Sequence, residues 1–83
     1  LLLKEFRMVI KILGTGCPKC EKLELHAREA LKQAGITASV EKVTNLNDIM
    51  NYNVVLTPAL VIDEELKSSG KVLTVEQIKE LIS

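Results

Sequence analysis

The chain has 83 residues, with 11 basic and 11 acidic side chains that cancel, and its 47% hydrophobic content includes one Phe, one Tyr and no Trp. That balance leaves no electrostatic footprint for nucleic acid or an anionic membrane, and two aromatics give no platform for stacking bases. The length is near the lower limit for a core that folds without metal or several crosslinks, so Leu, Ile and Val must build it. Leu1-Leu2-Leu3 is too short for the apolar region of a signal peptide and is followed by Lys4-Glu5. Residues 1–7 therefore read as an N-terminal extension, with Met8 able to serve as an internal start, and residues 8–83 as a single domain.

Met8 to Leu13 is a nearly continuous apolar run broken by Lys11, the pattern of an interior strand. Gly14-Thr15-Gly16 interrupts it, with no preference for strand or helix. Next comes Cys17-Pro18-Lys19-Cys20, which holds the only two cysteines in the chain. Residues 18–34 then read as a helix: Cys20, Leu23, Ala27, Ala30, Leu31 and Ala34 fall on one stripe, and Lys22, Leu25, His26 and Lys32 lie off it. Pro18 suits the first helical turn and Gly35 the position just past its end.

Ala38 to Val43 reads as a second strand, less apolar and so nearer an edge. Asn47 to Tyr52 reads as a short helix, capped by Asn45 or Asn47 and closed by Asn53 in the left-handed conformation. Ala59 to Ile62 follows Thr57-Pro58 as a third strand, and Asp63-Glu64-Glu65 turns the chain. Leu66 to Ser69 returns as a short antiparallel strand ending at Gly70. Thr74-Val75-Glu76-Gln77 is a capping box opening a last helix, with Val75, Ile78, Leu81 and Ile82 toward the core. The order is β-α-β-α-β-β-α, an α/β fold with a four-stranded mixed sheet and helices on both faces.

A thiol pair at a strand-to-helix junction sits where backbone N–H groups and the helix dipole stabilise a thiolate. The stripe puts Cys20 toward the core and leaves Cys17 at the helix start, the asymmetry that a nucleophile and its resolving partner need. The same spacing also supplies two metal ligands. A closed zinc site would need a second CxxC or a histidine pair, and His26 is the only histidine. Two thiolates can still hold Cu(I) linearly, so soft-metal transfer stands as the alternative function. Two inert buried thiols are the bland reading, and a non-enzymatic adaptor is a further one.

Strand, C-P-K-C, helix, then Thr57-Pro58 entering T-P-A-L-V-I-D, then hairpin and final helix, together resemble the thioredoxin fold in its minimal, glutaredoxin-sized form. More narrowly, these motifs and S-G-K-V-x-x-V-E-Q-I-K-E-L resemble the small thioredoxin-like redox-active disulfide proteins. The resemblance implies a protein-disulfide oxidoreductase whose redox group is the Cys17–Cys20 pair, with no other cofactor. Cys17 would attack and Cys20 would resolve the mixed disulfide. Pro58 would be cis and stand beside the sulfurs, and Thr57 would lend its backbone to an extended segment of the partner. Gly16, where thioredoxin proper has Trp, joins Thr57 and Pro58 as the substrate-binding candidates.

A glutathione clamp is not evident in Ser68-Ser69-Gly70, and the hairpin turn lacks Gly. The expected partners are a protein or small-molecule disulfide and an electron donor, either a reductase or a low-molecular-weight thiol. The expected state is a monomer in the cytoplasm, where a CxxC disulfide is catalytic rather than structural. Among the remaining candidates, His26 reads as a surface histidine, Glu21 and Glu24 as helical surface charge, and Glu64-Glu65 as a solvated turn. Tyr52 reads as packing at the end of the short helix. Lys19 is placed either to hold the thiolate or to set partner preference.

Overall fold

The computed structural model describes residues 8–54 and 56–82, so the N-terminal extension assigned to residues 1–7 lies outside the described residues. Seven elements follow in order: β1 (Met8–Leu13), α1 (Pro18–Ala34), β2 (Ala38–Val43), α2 (Leu46–Met50), β3 (Ala59–Ile62), β4 (Glu65–Ser69) and α3 (Val75–Ile82). The sheet order is β2-β1-β3-β4. β1 pairs in parallel with β2, Leu13 opposite Val43, and antiparallel with β3, Leu13 opposite Ala59. The expected mixed sheet, its interior first strand and its edge second strand are all present.

Strand alternation divides the apolar residues between two faces. Ile10 and Ile12 of β1 and Leu60 and Ile62 of β3 join Leu23, Ala27, Ala30 and Leu31 of α1 and Ile78 and Ile82 of α3 in the larger cluster. The alternate residues Leu13, Ala59 and Val61 turn the other way, onto Ile49 of α2 and Val54. All four residues of β3 are buried, as expected of a strand covered on both faces.

Helix α1 closes with Gly35 at φ 69°, where a residue without Cβ avoids the left-handed penalty. Its N–H reaches Lys32 O, and the Ile36 N–H reaches Leu31 O at 3.1 Å, which satisfies the terminal carbonyls. At α3 the capping box closes both ways: Gln77 N donates to Thr74 Oγ1 at 3.1 Å and Thr74 N donates to Gln77 Oε1 at 2.9 Å.

The structure corrects several readings. The short helix covers 46–50 rather than 47–52; Asn45 is its cap, accepting from Asn47 N and Asp48 N, and Asn53 has positive φ beyond its end. β4 begins at Glu65, because the turn needs only Asp63 and Glu64, both at positive φ as a type I′ hairpin turn requires. Ala34 is exposed at the last turn of α1, and Leu81 is 38% exposed. His26 is not a free surface residue: its Nδ1 lies 2.7 Å from Leu73 O and ties α1 to the segment entering α3.

Candidate active site

β1 ends at Leu13, Gly14 N donates to Val43 O at 3.0 Å, and the chain leaves the sheet with nowhere to go but across its end. Gly16 makes the bend at φ 93°, a conformation costly for residues with a Cβ. This delivers Cys17 to the N-cap of α1, with extended φ/ψ of −74° and 164°. Pro18 at the first helical position has no N–H to leave unpaired. The sulfur of Cys17 does the work of a cap oxygen, accepting from Cys20 N at 3.4 Å, while Cys17 O accepts from Glu21 N at 3.1 Å.

The two cysteines are in the dithiol form, Cys17 half-buried and Cys20 only 6% exposed, with their sulfurs 2.8 Å apart. Once Cys17 ionises, only Cys20 can donate in that contact. The Cys20 thiol therefore holds the Cys17 thiol below the ordinary cysteine range, and the Cys20 and Lys19 backbone N–H groups add to it. Burial pushes the Cys20 thiol up, and so does its contact with Cys17. The pair is thus split into a more readily ionised thiol at Cys17 and a shielded one at Cys20.

Opposite stands the start of β3. The Thr57–Pro58 peptide bond is cis, Pro58 is fully buried, and its carbonyl accepts from Gly70 N at 2.8 Å. Thr57 is exposed. Its Cβ and the Cys20 sulfur both lie within 4 Å of the point where a Cβ on Gly14 would stand, which places Thr57 at the sulfur end of the sheet. Gly16, exposed, lies beside a narrow cleft of about 30 Å³ that also reaches Gly14, Cys20 and Thr44. Lys19 is exposed.

Two features escaped the sequence. Glu24 is not plain surface charge: it walls the same cleft with its side chain 14% exposed, bonded to Arg28 at 2.9 Å and paired with Lys42 at 3.3 Å. Burial opposes its charge, but the two cations outweigh that and hold its carboxyl below the usual range. Glu64 is not merely solvated either. It accepts from Lys11 Nζ and from Tyr52 Oη at 3.0 Å, and Lys11 also reaches Tyr52 Oη at 2.8 Å. Glu24 stands four residues past Cys20, a helical neighbour whose spacing was visible. Nothing local in Glu64 signals a partner 53 residues away.

The comparisons agree with this geometry. A family model described as a thioredoxin domain matches residues 8–83. The chain is 43% identical over 76 residues to a thioredoxin of Methanothermobacter thermautotrophicus, covering 92% of this chain and 99% of that protein. It is 41% identical over 73 residues to a thioredoxin of Methanocaldococcus jannaschii, covering 88% and 84%. A cysteine pair divided between helix start and core, facing the entry to the third strand, is thus carried by a chain that belongs to the thioredoxin family and is a thiol–disulfide oxidoreductase.

Proposed function

We propose that the exchange runs through Cys17 as the attacking thiolate and Cys20 as the resolving thiol, on disulfides of protein partners. The observation that carries this is the 2.8 Å contact between a half-buried sulfur at the helix start and a buried one behind it. In the first step the Cys17 thiolate attacks one sulfur of the substrate disulfide, and the other sulfur leaves as a thiolate. Cys20 then gives up its proton, and its thiolate attacks Cys17, releasing the rest of the substrate as a second thiolate. Two electrons have passed to the substrate, and the Cys17–Cys20 disulfide is returned to the dithiol by a donor dithiol or a low-molecular-weight thiol. No other redox group is needed.

Gly16, Thr57 and Pro58 frame the sulfurs as the substrate-binding residues, with Thr57 offering backbone groups to an extended segment. The working state is a monomer in the cytoplasm. No helix among the described residues is long and apolar enough to cross a membrane. The soft-metal alternative fits less well, because heavy-metal-associated domains follow β-α-β-β-α-β, and here α2 separates β2 from β3.

Alkylation with limiting iodoacetamide near neutral pH, read by mass spectrometry, is expected to label Cys17 first. Cys20→Ser should trap mixed disulfides at Cys17, and Cys17→Ser should abolish turnover of a disulfide substrate. First labelling at Cys20 would reverse the roles.

A further inference from the structure

Gly14 and Gly16 flank the same bend for opposite reasons. Gly16 is at φ 93° with nothing within 4 Å of where its Cβ would stand, so its requirement lies in the backbone. Gly14 is not at positive φ, and its requirement is space. A Cβ on Gly14 would stand 2.2 Å from the Cys20 sulfur and 3.3 Å from Cys20 Cβ. Non-bonded heavy atoms settle at about 3.5–4.0 Å, so the volume a side chain would need is the volume the sulfur fills. The backbone cannot withdraw, because Gly14 N is bonded to Val43 O and Leu13 before it is paired on both sides. Thr57 Cβ lies 3.8 Å from the same point, in ordinary contact.

We propose that Gly14 is a positioning residue for the exchange reaction: the place of its missing side chain is the seat of the Cys20 sulfur, which it holds against Cys17. The proposal rests on the roles given above to the two cysteines. The sulfurs are already in contact, so a side chain at position 14 that displaces Cys20 lengthens the 2.8 Å separation. Two effects follow. The Cys17 thiolate loses its nearest donor, and the attack of Cys20 on Cys17 in the mixed disulfide starts from a worse position.

The aromatic disulfide 5,5′-dithiobis(2-nitrobenzoate) separates these effects, because each step releases one equivalent of coloured thiolate. Cys17 releases the first as it forms the mixed disulfide, and Cys20 releases the second as the Cys17–Cys20 bond closes. In Gly14→Ala the second release is expected to slow by about 10–100-fold, the order of effect of a misplacement near 1 Å. At a pH where Cys17 is ionised in both the unmutated chain and the variant, the first release should be unchanged, and the pH profile of Cys17 alkylation should move upward. In a Cys20→Ala background the sulfur is gone, so adding Gly14→Ala should leave the Cys17 profile where it was.

A second release at the unmutated rate overturns the proposal, as does an equal shift of the Cys17 profile in both backgrounds. Should Gly14→Ala fail to fold, the double variant decides: a folded Gly14→Ala/Cys20→Ala chain supports the seat, and an unfolded one refutes it. First labelling of Cys20 in the unmutated chain would instead defeat the assignment of roles, while the double variant would still report on the seat.

Discussion

The two faces of the sheet are finished by different means. On one, α1 and α3 lay a continuous aliphatic layer over Ile10, Ile12, Leu60 and Ile62. On the other, the five-residue α2 covers Leu13, Ala59 and Val61 through Ile49 and leaves an open hollow of about 470 Å³ beside it. Part of its wall is Lys11, Tyr52 and Glu64, a hydrogen-bonded cluster that brings β1, the end of α2 and the hairpin turn together. The first face is closed by apolar side chains of two helices. The second is completed by a lysine stem and a phenol whose polar ends satisfy one another.

The comparison breaks most sharply in the core. Leu23 is fully buried between β1 and the helices, and Leu23→Ala is expected to cost about 3–5 kcal/mol by urea denaturation, because close-packed neighbours cannot fill the gap. Ile49→Ala removes a side chain just as buried but roofed by one short helix, and should fall nearer about 2 kcal/mol. Equal losses at the two sites would mean that the faces are equally well packed.

Tyr52→Phe comes next, since it removes one hydroxyl and keeps the ring against the small cluster. A loss of about 0.5–1.5 kcal/mol is expected from the same denaturation measurement. A smaller effect belongs to Glu64, whose carboxyl the Lys11 ammonium and then the Tyr52 hydroxyl hold below the usual glutamate range. A lowered folded pKa gives stability that is present above the unfolded value, about 4.3, and lost as pH falls through the folded one. The advantage of the unmutated chain over Glu64→Gln should therefore shrink on acidification, as read by urea midpoints at falling pH. The smallest test compares two truncations at that position. Both lose the ion pair, but Glu64 is at φ 68°, so Glu64→Gly should be more stable than Glu64→Ala.

The same contrast explains what the sequence disclosed. The two-helix face was legible because its residues repeat at strand and helix periods, as Ile10 and Ile12 or Leu23, Ala27 and Ala30 do. The junction carrying Cys17 was legible from a strand, a glycine break and a proline at the helix start. Tertiary partnerships without a local period were not legible: the contacts of Glu64 with Lys11, of His26 with Leu73 O and of Glu24 with Lys42, as distinct from its helical pair with Arg28, are all of that kind. Ala34 failed for another reason: a methyl on the stripe carries little signal, and the last turn of α1 opens onto a groove with Glu76 and Lys79. Gly14 was seen only as a break, because sequence shows that a side chain is missing and not what fills its place.

Both margins of the sheet bear on how copies of the chain behave toward each other. With zero formal net charge, no overall repulsion keeps molecules apart, so protection against stacking must be local. β2, at one margin, exposes Glu41 and Lys42; β4, at the other, exposes Glu65 and Lys67, which pair at 2.6 Å. Lysines and glutamates along an open margin make it a poor template for a second sheet. Extended visitors are thereby turned away from the long margins, which is consistent with the pairing proposed above for the short uncharged stretch at Thr57.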